Sequence, residues 1–188
     1  MRLAKPCYDG STEMTDDTVI YSFPPLIQPD SEILFLGSAP SVLSRRNQFF
    51  YGNPTNRFWK ILSALYHEDF VHSDPATKTA LIKKHHLALS DVYASCQMKK
   101  IGSSLDSNII KPVFQDIPKL IQGTKVRRIY ITSKKAYTDF TQHWQGHFAP
   151  DIQIVNLPSP SAANRSVYRT DDDLIAAWRQ IIGGNAGC

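Results

Sequence analysis

The sequence predicts an α/β fold, a three-layer α/β/α sandwich around a central, mainly parallel sheet of about four strands. Short apolar runs rich in Ile, Leu, Val and Tyr recur along the chain as EILFLG, LALSDVY, RRIYIT and IQIVNLP. Segments of helical length separate each run from the next, and this alternation implies parallel pairing through right-handed crossovers. The runs end in GSAPS, DVYASC, TSKKA and NLPSPSAAN, most of them dense in Ser, Asn and Asp. The carboxyl ends of parallel strands are where such folds bind ligands.

In chain order, residues 1–30 are polar and proline-bearing and are expected to form an arm that packs on the domain through YSFPPLIQP. EILFLG is the first strand, closed by Gly37. A loop holding Phe49, Phe50, Tyr51, Asn53 and Asn56 follows, and PTNRFWKILSALYH is expected to be a helix. Phe58, Trp59, Leu62 and either Leu65 or Tyr66 fall at helical spacing there and belong to the core. PATKTALIKKHH is a second helix, and a further one is expected within NIIKPVFQDIPKLIQG. KKAYTDFTQHWQ and DDDLIAAWRQII complete the helical set on either side of IQIVNLP.

A chain of 188 residues with 42% hydrophobic and 20% charged side chains suits one globular domain spanning residues 1–188. No apolar run is long enough to cross a bilayer, and MRLAKPCYDGSTEMTDD lacks the apolar centre of a secretory signal. The expectation is therefore a monomer in the cytoplasm, nucleoid-associated if bacterial, with no membrane partner. Cys7, Cys96 and Cys188 are too few and too scattered for a disulfide framework, a four-Cys zinc site or an iron–sulfur cluster, so neither metal nor cofactor is expected. A net charge of +4 and a pI near 8.9 permit a nucleic-acid partner. The clusters SRR, KKHH, MKK, KVRR and SKK permit it too, although solvated helix faces would give the same pattern.

LGSAPS, FFYGNPTNRFW, SDVYASC followed by GSSLDSNI, and LPSPSAANR stand in this order at the expected strand ends. Together they resemble the motifs of the uracil-DNA glycosylase superfamily, and in particular its hypoxanthine-DNA (deoxyinosine) glycosylase branch. The likeness runs from about Phe23 to the last helix. It implies the same three-layer fold that the alternation of elements predicts. It also implies a DNA partner carrying a deaminated base, which is flipped out and excised. One departure stands out: better-known uracil and mismatch glycosylases place Asp or Asn before the Pro of the first motif to position the attacking water, and this chain has Ala39. A methyl group cannot orient water. The resemblance to the hypoxanthine branch assigns that work to Asn56, the asparagine of the NPxNxFW pattern.

An amide suits this chemistry, because its oxygen can hold water or steady a cationic sugar and its NH2 can bond a departing base. As a plain sequence feature, Asn56 would serve equally as a helix cap. The resemblance places Gly37 and Ser38 against the base and gives Tyr51 the stacking role, a contact worth on the order of 1–3 kcal/mol. Phe49 and Phe50 are read as plugs holding the loop on the core. Asp91 is expected to read the base edge, accepting from N1–H of hypoxanthine or N3–H of uracil, unless it only clamps the strand end. In NLPSPSAANR, Ser159 and Ser161 are expected to grip phosphates between the stiffening Pro158 and Pro160. The uracil enzymes open this motif with a His that bonds the leaving base, and Leu157 stands in its place. Asn164 and Arg165 are the first side chains beyond it long enough to fill the space of a flipped base; the alternative has Asn164 capping a turn and Arg165 touching a phosphate.

Lys99, Lys100, Arg45 and Arg46 are further candidate phosphate contacts, and His85 and His86 are read as surface residues. No Lys stands in a recognised nucleophile context, which points to direct attack by water without strand cleavage. Two other readings stay open: removal of uracil or mismatched pyrimidines, and an inactive nucleic-acid-binding relative, the latter motivated by Ala39 and Leu157.

Overall fold

The computed structural model describes residues 19–100 and 102–184. Residues 1–18 of the expected arm, with Cys7, and the terminal Cys188 lie outside the described residues. Among the described residues seven strands run in chain order: β1 (Val19–Tyr21), β2 (Ile33–Gly37), β3 (Leu87–Asp91), β4 (Tyr93–Met98), β5 (Ile109–Phe114), β6 (Arg128–Ile131) and β7 (Gln153–Asn156). The helices are α1 (Val42–Arg46), α2 (Phe58–Tyr66), α3 (Pro75–Lys84), α4 (Ile117–Leu120), α5 (Lys134–His143) and α6 (Asp171–Gly184).

A four-stranded parallel sheet, in the order β3-β2-β6-β7, forms the middle layer. All five residues of β2 are buried, as a central parallel strand covered on both faces requires. On one face Phe35 stacks on Tyr130 at 5.6 Å and on Trp178 of α6 at 5.9 Å, with Phe58 of α2 edge-on at 5.7 Å. On the other face Leu34, Leu36, Ile129 and Ile131 pack with Ala136 and Phe140 of α5. Among the described residues no helix is long and apolar enough to cross a membrane.

Three local features differ from the sequence reading. LALSDVY is not one strand: β3 stops at Asp91, and after Val92 the chain continues as β4, which pairs antiparallel with β1 and β5 in a second sheet ordered β1-β4-β5. Val92 N–H donates to the Gly37 carbonyl at 2.8 Å and Tyr93 N–H to the Ser38 carbonyl at 3.2 Å, holding the crossing between the sheets close to β2. The helix expected within NIIKPVFQDIPKLIQG is the short Ile117–Leu120, and what the reading lacked is strand β5, which takes Ile109–Phe114. Pro112 disfavours a helix interior and is tolerated on an edge strand, which β5 is. Finally, α2 starts at Phe58, because Pro54 and Thr55 belong to a turn in which Asn53 Oδ1 accepts from Thr55 N–H at 3.0 Å.

Candidate active site

Above the carboxyl ends of the parallel strands lies a cavity of about 320 Å3, within the size range of small-ligand sites. Gly37 and Ser38 line it from the end of β2, Asp91 from β3, Thr132 and Ser133 from beyond β6, and Ser159, Ser161 and Asn164 from beyond β7. Tyr51 and Asn56 of the aromatic loop line it as well. Arg165 is not among the lining residues.

Gly37 and Asp91 are register partners on adjacent strands. A Cβ at position 37 would lie 2.5 Å from Asp91 Oδ1 and 3.5 Å from the Tyr51 hydroxyl, so only glycine allows the carboxyl group to stand there. Asp91 is 5% exposed, and its Oδ2 accepts from Ser22 Oγ at 2.9 Å. Burial pushes the Asp91 carboxyl up to about 7; the Ser22 hydrogen bond opposes the shift and the charge of Asp106 adds to it. Near neutrality the group can therefore accept from a base as carboxylate or donate to one as acid.

A carboxyl raised on folding takes up a proton on folding, so its contribution to stability is fully present below the unfolded value near 4 and is lost as pH rises through about 7. Asp91→Asn removes that titration. Wild type is expected to lose stability relative to the variant between pH 4 and 8, as read by urea denaturation across that range. A constant difference would contradict a buried, protonatable Asp91.

The aromatic loop divides its rings between packing and the cavity. Phe49 stacks on Trp59 at 5.7 Å, and Phe50, 4% exposed, meets Phe23 edge-on at 5.3 Å, and both Phe23 and Phe50 also line the cavity. Tyr51 adopts a left-handed φ of 50°, and its ring lies parallel to Phe58 at 3.7 Å. The Tyr51 and Thr132 hydroxyls are hydrogen-bonded at 3.1 Å, and burial holds the phenol well above its usual value. Phe58 behind the ring and Thr132 at its tip hold the Tyr51 ring in place beside the cavity.

Asn56 sits at the helix start, as its capping alternative requires: Oδ1 accepts from Phe58 N–H at 2.9 Å. Arg57, at the formal cap position, makes no side-chain cap bond, so Asn56 supplies the bond in its place. With the oxygen held by the backbone, the Asn56 group without a partner among the described residues is the Nδ2 donor, on a half-buried residue that lines the cavity. The helix-start bond thus uses Oδ1 and leaves Nδ2 free of it.

The loop after β7 is held from beneath by Arg57, which is 1% exposed. Its backbone N–H donates to the Pro160 carbonyl at 2.9 Å, Nη1 donates to the Tyr168 and Thr170 carbonyls at 2.8 and 3.3 Å, and Nη2 to the Ser161 carbonyl at 3.4 Å. Within the loop, Ser159 Oγ accepts from Ser161 N–H and Ser161 Oγ from Ala163 N–H, each at 3.3 Å. Asn164 Nδ2 donates to the Ser159 carbonyl at 2.9 Å, geometry that fits its turn-capping alternative. Arg165 is exposed and reaches Asp171 at 3.4 Å. Leu157 is buried in the core at 1% exposure. His85 and His86 lie outside the cavity lining and pair with Glu68 and Asp30, each at 3.1 Å.

Sequence reasoning passed over Arg57, Ser22, Thr132 and Asp106. Asp106 lines the cavity, and its carboxylate accepts from Ser38 Oγ at 2.6 Å and from Ser133 Oγ. The one signal for it was an acidic residue among hydroxyl side chains in GSSLDSNI.

Residues 24–182 match the model of the uracil DNA glycosylase superfamily. A hypoxanthine DNA glycosylase of Methanosarcina acetivorans is 32% identical over 152 residues, covering 76% of this chain and 87% of that protein. A hypoxanthine DNA glycosylase of Methanosarcina barkeri is 37% identical over 71 residues, covering 38% of this chain and 45% of that protein. A solution NMR structure of a candidate uracil DNA glycosylase from Methanosarcina acetivorans superposes with a TM-score of 0.70 at 29% identity, covering 86% of this chain and 98% of that one. With the match spanning the parallel sheet and all the residues that line the cavity except Phe23, the chain belongs to the uracil DNA glycosylase superfamily.

Proposed function

We propose that this chain is a monofunctional DNA glycosylase that flips a deaminated base, hypoxanthine, out of DNA and hydrolyses its N-glycosidic bond in base excision repair. The observation that carries the reading is the convergence of Asn56, Tyr51 and Asp91 on one strand-end cavity in a chain of this superfamily. The flipped base stacks on Tyr51, Asp91 bonds its edge, and Gly37 keeps the floor free of a side chain. Asn56 Nδ2 donates to the attacking water or to the departing base. Among the described residues no Lys or His lines the cavity, which supports attack by water over an amine nucleophile. Ser159 and Ser161 grip the DNA backbone. The reading takes the protein to work as a monomer in the cytoplasm.

Asp91 also favours a second reading, because as carboxylate it accepts from N3–H of uracil as readily as from N1–H of hypoxanthine. The relatives named hypoxanthine DNA glycosylases support hypoxanthine over uracil. The test uses labelled duplexes carrying one inosine or one uracil, incubated with the protein and treated with alkali. Cleavage at inosine is expected. Cleavage at uracil alone would reverse the base assignment, and cleavage at neither, with DNA still bound, would leave a binding protein without activity.

A further inference from the structure

Water attacking a sugar carbon must lose a proton, and the sugar gains positive charge as the base departs. Asn56 presents a donor to the cavity, and a donor cannot take a proton. Among the described residues that line the cavity, the side chains carrying an acidic hydroxyl or carboxyl group are Tyr51, Asp91 and Asp106. Tyr51 is tied to Thr132 and held in its phenol form by burial. Asp91 is buried against Gly37, and the reading of the cavity gives it the base edge.

Asp106 differs from both. It comes from the loop between β4 and β5, in a short turn spanning Asp106–Asn108, outside the parallel sheet. Its two oxygens accept from Ser38, just after β2, and from Ser133, just after β6. Strands β2 and β6 are the paired central strands, so the carboxylate hangs across the gap between their carboxyl ends. Ser133 Oγ also accepts from Ala136 N–H at 3.2 Å, which fixes the hydroxyl that donates to Asp106. The loop is anchored on either side of the carboxylate: Val42 N–H donates to Ser104 Oγ at 3.3 Å, and Asn108 Nδ2 donates to Ser103 Oγ at 2.7 Å. Each carboxylate oxygen keeps a further lone pair after one hydrogen bond, so the group can still accept from water.

We propose that Asp106 is a second catalytic group of this cavity, and the proposal rests on the reading of the cavity as the site of base excision. The oxygen of a water positioned by Asn56 bonds to C1′ as the C1′–N bond breaks, and that bond's electron pair leaves with the base. The water proton passes to the Asp106 carboxylate, and the departing base takes a proton from solvent. Asp106 then returns its proton to solvent. Until that transfer, its negative charge steadies the cationic sugar.

Asp106→Asn tests the role, because the amide keeps the shape and can still bond Ser38 and Ser133 but carries no charge and is no base. Single-turnover excision is expected to fall about a hundredfold or more. Affinity for a duplex carrying a non-cleavable 2′-fluoro-deoxyinosine is expected to stay equal or tighten, since a negative charge facing DNA has gone. Ser133→Ala, which removes one anchor and leaves the charge, is expected to cost less than the charge removal. Excision by Asp106→Asn within about tenfold of wild type overturns the proposal. So does a rate loss matched by weaker binding or by Ser133→Ala, which would make Asp106 a loop anchor. Wild type that releases neither hypoxanthine nor uracil overturns the glycosylase reading and this proposal with it, whereas active wild type beside an equally active variant overturns this proposal alone.

Discussion

Asn56→Ala is expected to lower single-turnover base excision about a hundredfold or more, the scale of losing one positioned polar group at a reacting centre. The fold should survive, because the substitution removes one helix-start bond, Asn56 Oδ1 to Phe58 N–H, and losing such a cap costs about 1 kcal/mol. Asn56→Asp separates the two roles. Aspartate caps a helix as well as asparagine does and keeps the bond to Phe58, but it has no NH2 to offer the cavity. If the donor does the chemistry, Asp should be nearly as slow as Ala while melting close to wild type. A folded Asp variant at wild-type rate would reduce Asn56 to a cap.

Arg57→Ala is expected to give the largest loss of stability, about 3 kcal/mol or more in urea denaturation. The guanidinium is 1% exposed and satisfies the carbonyls of Ser161, Tyr168 and Thr170 at once. Truncation leaves these acceptors inside the protein, each unpaired group costing about 1–3 kcal/mol unless water enters. Arg57→Lys should rescue only part of the loss, because an ammonium on a flexible stem cannot match the planar fork. Since the same side chain joins the start of α2 to the loop after β7, both variants should also bind DNA more weakly. An Ala variant as stable as wild type would show that water replaces the guanidinium without penalty.

The parallel sheet was legible because buried central strands are short continuous apolar runs, as in β2 and β3, and helical segments separate them. The second sheet was not. In β4 the sequence YASCQM mixes polar and apolar residues, with Tyr93 and Cys96 as its buried members, and β5 contains a proline. Only partners distant in sequence make strands of such segments. The site divides in the same way. Gly37, Tyr51, Asn56, Asp91 and Ser159 sit in motifs whose order is visible in the chain, and the structure brings them to one cavity. Ser22 meets Asp91 69 positions away in sequence, and Asp106 meets Ser38 and Ser133, 68 and 27 positions away, and no local pattern marks such pairs. Arg57 could have drawn notice as a charged residue beside the apolar Phe58 and Trp59, although spacing alone does not reveal that its charge faces three carbonyls.

The most direct measurement is mass spectrometric detection of the free base released from a duplex containing one deoxyinosine, with strand cleavage followed before and after alkali. Free hypoxanthine is expected in amounts equal to the alkali-labile sites formed, with the strand intact before alkali and with release strongly reduced in the Asn56→Ala protein. Failure to release free base from DNA that the protein binds would contradict the proposed glycosylase activity, and strand breaks without alkali would contradict attack by water.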